Sequence, residues 1–345
     1  MGITPQTKVA ILLHGGIFGK KGKTGLAFLR YSNSQVVVII DVESAGGSLA
    51  ALTGINRNIP IVSNVAAALA YKPDVLLIGI APSGGLLPEN WWQEVKQGLD
   101  VGLSVVNGLH SPLANKYPHL KPGQWIWDIR QEPPGLKIGQ GKARNLNCQR
   151  ILTVGTDMAV GKMSTSLEIY HAAKRQGIKA EFLATGQAGI MIAGDGIPLD
   201  AVRVDYAAGA VEQLVIKYGK NCQLLMIEGQ GSLLHPGSTA TLPLIRGSQP
   251  TGLILVHRAK QKHINDLPDF LIPPLAEVVK LYETIASAAC SFENVKVKAI
   301  ALNTFGLDSD SATKEIQLVE KTTGLPCTDV VRYGAKKLIS AIINS

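Results

Sequence analysis

Long hydrophobic runs are missing from this chain. Unbroken apolar stretches such as VVVII at 36–40 are strand-sized, far short of the roughly 20 residues that a bilayer-crossing helix needs. No membrane association is expected. Cysteine is scarce: Cys148, Cys222, Cys290 and Cys327 stand far apart in sequence, without a CxxC pair. That spacing excludes a zinc ribbon and a dense disulfide framework, and it fits a reducing, cytoplasmic compartment. No metal site is expected either. The opening MGITPQTKVAILLHGG runs almost at once into a strand pattern, which leaves no room for a secretory leader. Aromatic residues make up only 5% and nowhere interleave with basic ones, so the formal charge of +8 reads as a solvated basic surface. A nucleic-acid partner is not expected.

What the chain does have is length and glycine. Its 345 residues exceed one comfortable core, and 46% apolar with 17% charged residues describes a compact α/β protein of two domains. The first half alternates strand patterns (KVAILLHG, QVVVIID, IPIVSN, DVLLIGIA, VGLSVVNG, QWIWDIR) with helical ones. Continuous apolar strands separated by helices imply a parallel sheet covered on both faces, a Rossmann-like domain over 1–135. The stretch QEPPGLKIGQGKARNLNCQ is polar and rich in Pro, Gly and Lys, and 136–149 reads as a linker. The alternation then resumes through RILTVG, KAEFLATG, QLLMIEG, TGLILVH, VKAIALNT and CTDVVRY. This predicts a second doubly wound domain of P-loop NTPase type over 150–345. In both sheets, ligands are expected beyond the carboxyl ends of the strands.

The segment GTDMAVGKMS, Gly155 to Ser164, lies between a strand and a helix. That context and the pair Gly161-Lys162 match the phosphate-binding pattern G-x-x-x-x-G-K-[ST]. Amides of Asp157, Met158, Ala159, Val160, Gly161 and Lys162 would curl round an anion at the helix N-terminus, with the lysine ammonium on the same oxygens. Two positions deviate. Thr156 replaces the first glycine, and Met163 replaces the hydroxyl residue that normally holds Mg²⁺. A thioether is a poor ligand for that ion, and Ser164 lies about 100° further round the helix.

The run GTDMAVGK resembles the loop of dethiobiotin synthetase and related P-loop enzymes, and MIEGQGS at 226–232 resembles their strand-end E-G segment. More widely, the chain resembles a family of two-domain proteins, formerly of unassigned function, that includes D-glutamate N-acetyltransferase. The resemblance rests on GKTGLAFLR, LIGIAPSGGLLP, NGLH, GTDMAVGKM, TGQAGIMIAGDGIPLDAV and EGQGSLLHP, in that order. It implies an N-acetyltransferase that uses acetyl-CoA on an acidic amino acid. Coenzyme A carries a pyrophosphate and a 3′-phosphate for such a cradle. Acetyl transfer needs no metal-bridged phosphoryl group, so the missing hydroxyl would be tolerable. The alternatives are an ATP- and Mg²⁺-dependent ligase or kinase of the dethiobiotin synthetase type, and a non-enzymatic nucleotide-binding switch.

Other residues complete the expected site. Glu228 follows the strand QLLMI, with Gly229 and Gly231 after it, and is expected to face the phosphate loop as the catalytic base. Gln230 lies beside it, and His235 in GSLLHPG is the second catalytic candidate. The Gly-rich 184–209 segment reads either as a lid with Gln187 as its polar contact or as an interface or core-capping hairpin, and its apolar part at 186–198 suggests a homo-oligomer. Arg203, Arg246 and Arg258 are candidates for gripping substrate carboxylates. The loop GGIFGKKGKTG at 15–25, ending in Lys23-Thr24, is a second anion-binding candidate. Asp41 ends the second strand, where dinucleotide folds hold ribose.

Overall fold

The computed structural model describes residues 2–18, 20–81, 87–291 and 293–344. The chain divides into two compact units, one made of Met1–Glu132 with Gln187–Ala201, the other of Pro133–Gly186 with Val202–Ser345.

In the first unit the chain runs β1 (Lys8–Leu12), α1 (Lys23–Tyr31), β2 (Gln35–Ile40), α2 (Leu49–Thr53), β3 (Ile61–Val62), α3 (Val65–Ala68), β4 (Val75–Ile78), α4 (Glu89–Val101), β5 (Ser104–Asn107) and β6 (Ile126–Asp128). The strands pair in parallel in the order β3-β2-β1-β4-β5-β6. That order is the dinucleotide-fold arrangement, with its switch point between β1 and β4. The apolar runs become strands because both sheet faces are covered: Val9–Leu12 and Val75–Ile78 are almost wholly buried. At the carboxyl end of β1, His14 is pinned. Its Nδ1 accepts the Val42 amide at 3.1 Å, so Nε2 carries the proton and donates to Glu94 at 3.0 Å.

The second unit contains β7 (Gln149–Gly155), α5 (Lys162–Arg175) and β8 (Ala180–Leu183). After α6 (Gln187–Ala193), which belongs to the first unit, come α7 (Val204–Gly219), β9 (Leu224–Ile227), α8 (Thr241–Ser248) and β10 (Gly252–Arg258). The chain ends through β11 (His263–Ile264), β12 (Leu267–Leu271), α9 (Leu275–Ala289), β13 (Val297–Asn303), α10 (Ser309–Thr323), β14 (Cys327–Thr328) and α11 (Lys336–Ile343). The main sheet is parallel, ordered β14-β13-β10-β7-β9-β8, and β11 with β12 forms a separate antiparallel hairpin. Thus β7 and β9, which end at the phosphate loop and at Glu228, are neighbours. The expected α/β architecture, a Rossmann-like half and a P-loop half, is what the chain adopts.

Three local readings change. The 184–209 stretch is no open loop: α6 forms within it and packs with the first unit, Met191 and Gln187 lying against Gly108. The polar stretch after residue 132 is not loose either. It clusters with the second unit, forms a helical turn at Lys142–Asn145, and is held by buried Glu212, whose carboxylate accepts the Gln140 amide at 2.9 Å and that of Lys142. The helix α8 arises where Pro243 and Gly247 obscure the helical period. Part of the LIGIAPSGGLLP motif, 82–86, and Gly19 of the 15–25 loop fall outside the described residues. Among the described residues, no helix is long and apolar enough to cross a membrane.

Candidate active site

The phosphate loop is built as a cradle. Ala159 and Gly161 take positive φ, +56° and +117°, on either side of Val160. This turns successive amides toward one side of the backbone. Gly161 caps α5 without any side-chain hydrogen bond, so the first-turn amides of Lys162, Met163 and Ser164 receive nothing from the cap. Together with the positive end of the helix dipole they form an anion site.

The loop is fixed from four directions. The Asp157 carboxylate accepts from its neighbour Met158 N at 2.6 Å, from Gln261 Nε2 at 2.6 Å and from Asn265 N at 2.7 Å. Thr156 Oγ1 pairs with His257 Nδ1 at 2.9 Å; burial pushes that imidazole down to about 4, so it is neutral. Asn303 Nδ2 donates to the Val160 carbonyl at 3.0 Å. Tyr282, fully buried, donates its hydroxyl to the Gly155 carbonyl at 2.7 Å and accepts the Leu233 amide at 3.1 Å. Ser166 is taken up by Thr153 at 3.0 Å, which leaves Met163 and Ser164, both half-buried, at the helix entrance.

Lys162 is buried, and its Nζ donates to the Asp157 carbonyl at 2.7 Å. Two glycines make the slot for its stem. A Cβ on Gly155 would come within 3.1 Å of Nζ, and one on Gly229 within 3.1 Å of Cδ. Burial pulls the lysine down to about 8, against the raising pull of Asp157 and Glu228. Glu228 is the reverse case: burial pushes it up to about 7, although the Thr185 and Gly186 amides and Lys162 favour its charged form. Its Oε2 accepts those two amides at 2.9 and 3.2 Å, whereas Oε1 faces Gln230 Nε2 at 3.4 Å. A cation and a carboxyl with pKa values drawn toward neutrality thus share the sheet's carboxyl edge, as acid–base chemistry requires.

The remaining expected residues are distributed as follows. Gln230 lies beside Glu228, and its carbonyl accepts from Thr241 Oγ1 at 3.0 Å. His235 is half-buried and closes its own turn, Nδ1 accepting the Gly237 amide at 3.0 Å, so only Nε2 is left for another role. Arg246 is exposed and lines a cavity of about 880 Å³ in the second unit with Arg144, Ser238 and Thr241. Arg203 is exposed and stacks on Tyr206 at 4.9 Å; Arg258 is exposed at the end of β10. Lys23 (exposed), Thr24 (buried) and Gln187 belong to the first unit. There Asp41 is buried and takes the Gly15 amide at 3.0 Å. Thr185, Gln261, Asn265, Tyr282 and Asn303 were not foreseen as parts of the site. Phe305, 83% exposed, follows Asn303, whose Oδ1 accepts its amide at 3.0 Å.

Comparison with known families agrees with this geometry. A model described as a domain of unknown function, the DUF1611 P-loop domain, matches residues 137–339, and its companion, the DUF1611 Rossmann-like domain, matches 42–132. The chain belongs to the DUF1611 family. A crystal structure of a DUF1611 family protein from Anabaena variabilis is 59% identical, superposes with a TM-score of 0.96, and covers 99% of this chain and 100% of that one. Two relatives carry the name D-glutamate N-acetyltransferase. The one from Tritonibacter scottomollicae is 37% identical over 281 residues, 80% of this chain and 83% of its own. The one from a Pseudoalteromonas species is 33% identical over 294 residues, 84% of this chain and 85% of its own. Within DUF1611, the N-acetyltransferase name therefore sits on proteins that share both halves of this chain.

Proposed function

We propose that this DUF1611 protein is an N-acetyltransferase that moves an acetyl group from acetyl-CoA to the amino group of an acidic amino acid such as D-glutamate. The observation that carries the reading is the buried Lys162–Glu228 pair at the carboxyl ends of β7 and β9, in a chain whose relatives bear that activity's name.

The cradle fits the group it would hold. Its amides, the α5 N-terminus and the Lys162 ammonium suit phosphate oxygens, and acetyl-CoA supplies a thioester-activated acetyl group when bound. Residues 155–164 would grip the phosphates. Lys162 would exchange the Asp157 carbonyl for the ligand. Glu228 would take the proton from the attacking amine at Oε1, because Oε2 already holds two amides. A carboxyl near pKa 7 is half ionised at neutral pH, which suits a base that must also release its proton. Gln230 would orient the substrate at that oxygen, with His235 Nε2 as a second proton acceptor. Within the second unit, Arg203 and Arg246 are the further candidates for holding its carboxylates.

Incubation with acetyl-CoA and D-glutamate should release free CoA thiol and yield N-acetylglutamate by mass spectrometry. Thermal-shift titration should show stabilisation by acetyl-CoA that does not depend on Mg²⁺. ADP release that needs ATP and Mg²⁺ together, without thiol release, would instead make the protein a ligase or kinase. Tight ATP or GTP binding without turnover of either kind would make it a switch.

A further inference from the structure

Three of the four cysteines, dispersed in sequence, converge in the second unit at the amino ends of the strands, away from the cradle. Gln149 of β7 pairs in register with Leu224 of β9, and its amide donates to the Gln223 carbonyl at 2.9 Å. Cys148 therefore stands beside Gln223, one residue from Cys222. A strand spacing of about 4.8 Å and a rise of about 3.3 Å per residue put the two cysteine Cα atoms roughly 6 Å apart. That lies inside the range of about 4.4–6.8 Å that a disulfide spans. The two thiols hydrogen-bond each other. Above them the last residue of α7 is Gly219, where a Cβ would come within 3.1 Å of Cys148 Sγ.

The surroundings are those of a reactive thiol. Arg150 is buried and cannot swing away. Its Nε donates to the Gln249 carbonyl at 2.9 Å, and its Nη1 to those of Leu146 at 2.8 Å and Cys148 at 3.0 Å. A cavity of about 660 Å³, lined by Cys148, Arg150, Cys290, Arg144 and Lys298, reaches the cluster, and Cys222 is half-exposed. The hydrogen bond from Cys222, with Arg150 beside it, holds the Cys148 thiol down at about 6 despite burial. The same hydrogen bond and burial push Cys222 up, so it keeps its proton. Burial raises Cys290 to about 11 and Cys327 to about 12, which leaves both as thiols.

We propose that Cys148 and Cys222 form a reversible oxidation site, closing to a disulfide when the folded protein meets hydrogen peroxide. The Cys148 thiolate attacks one peroxide oxygen. The O–O bond breaks, a sulfenic acid forms, and the departing hydroxide takes a solvent proton to become water. The Cys222 sulfur then attacks the Cys148 sulfur. An S–S bond forms as the S–O bond breaks, and the Cys222 proton leaves with the hydroxide as a second water. Two thiols lose two electrons in all, and one peroxide becomes two waters. The bridge would staple β7 to β9, the strands that lead at their far ends into the phosphate loop and Glu228.

The test is to treat the full-length folded protein with hydrogen peroxide, count thiols after denaturation, and map peptides without reduction. Four thiols should fall to two, with a linked peptide pair containing Cys148 and Cys222. Dithiothreitol should reverse this, and the oxidised form should melt several degrees higher. Cys222→Ser, which keeps a hydroxyl donor beside Cys148, should abolish the linked pair and leave Cys148 as a trapped sulfenic acid, whereas Cys327→Ser should leave the Cys148–Cys222 pair unchanged. The wild-type peptide map decides the matter even where a variant folds poorly. A Cys148–Cys290 bridge, over-oxidation of Cys148 without any bridge, or four intact thiols would each overturn the proposal.

Discussion

The Lys162 ammonium donates to the carbonyl of Asp157 at 2.7 Å, five residues back in its own loop, so the lysine expected to grip a ligand also braces the backbone of the cradle. An incoming phosphate must compete for that ammonium, and its charge should return the lysine toward its ordinary range from about 8. Lys162→Ala is expected to raise KM for the anionic ligand by a factor on the order of 10–100, since a charge-assisted hydrogen bond contributes about 1.5–3 kcal/mol. Steady-state kinetics with the ligand varied would check it. An unchanged KM would remove the lysine from the ligand's grip.

Glu228 ties activity to pH and to stability at once. Its folded value, about 7, lies above the ordinary 4.5. Between those values the folded chain holds a proton that the unfolded chain has released. Stability therefore falls as pH rises through that window, and the whole deficit, at most about 3 kcal/mol, is present above pH 7. Glu228→Gln keeps an acceptor for the Thr185 and Gly186 amides but cannot ionise. Its melting point should match wild type near pH 4.5 and exceed it by several degrees at pH 8. Turnover should drop by about 10²–10⁴, and the wild-type kcat/KM should climb with pH through about 7 and fall again above about 8 as Lys162 of the free protein loses its proton. A variant equally active, or less stable at pH 8, would contradict the role of base.

Two glycines of the site should fail differently. A Cβ on Gly229 would drive into the Thr153 carbonyl, a backbone atom that cannot move without parting β7 from β9. Gly229→Ala should therefore cost about 3 kcal/mol or more, or prevent folding. A Cβ on Gly161 meets only Asn303 Nδ2, at 3.7 Å, but φ is +117° there. Gly161→Ala should cost about 1–3 kcal/mol through backbone strain and weaken ligand binding while the fold persists. Urea denaturation beside thermal-shift titration separates the two outcomes.

Phe305 offers a large aromatic face to solvent next to Asn303, which itself touches the loop at Val160. An exposed ring at the rim of an anion cradle suits the flat base of an adenine-bearing ligand. Phe305→Ala should leave the melting point of the free protein within a degree or two and weaken acetyl-CoA or ATP binding about tenfold. Inorganic phosphate or pyrophosphate binding should not change. Calorimetry with both ligand types would detect the split, and equal losses for both would assign the ring to loop support instead.

Much of this was legible in the chain itself, for reasons that are local. Residues 149–162 announce strand, turn and helix within one short window, and Glu228 comes directly after a buried strand and just before Gly229 and Gly231. Sequence periodicity says that 187–193 has an apolar face but not which surface that face meets, so the packing of α6 against α1 in the first unit is not legible in the chain. Gln261, Asn265, Tyr282 and Asn303 hold the loop from about 100 residues or more away, through single hydrogen bonds that leave no local pattern. The same distance hid Cys148 and Cys222, which looked unrelated until β7 and β9 were paired.

Glu212 has a bearing on where this protein can be cut. Its buried carboxylate accepts the Gln140 and Lys142 amides, and Gly209 has no room for a Cβ beneath the Lys137 carbonyl. An expression fragment begun at the first residue of β7 would strip those donors away and leave buried carboxylate oxygens without partners. Begun at Pro133, it would keep its own wrapping. The natural severance point thus precedes the proline-rich stretch, and the segment that looked most expendable is the one a truncation must spare.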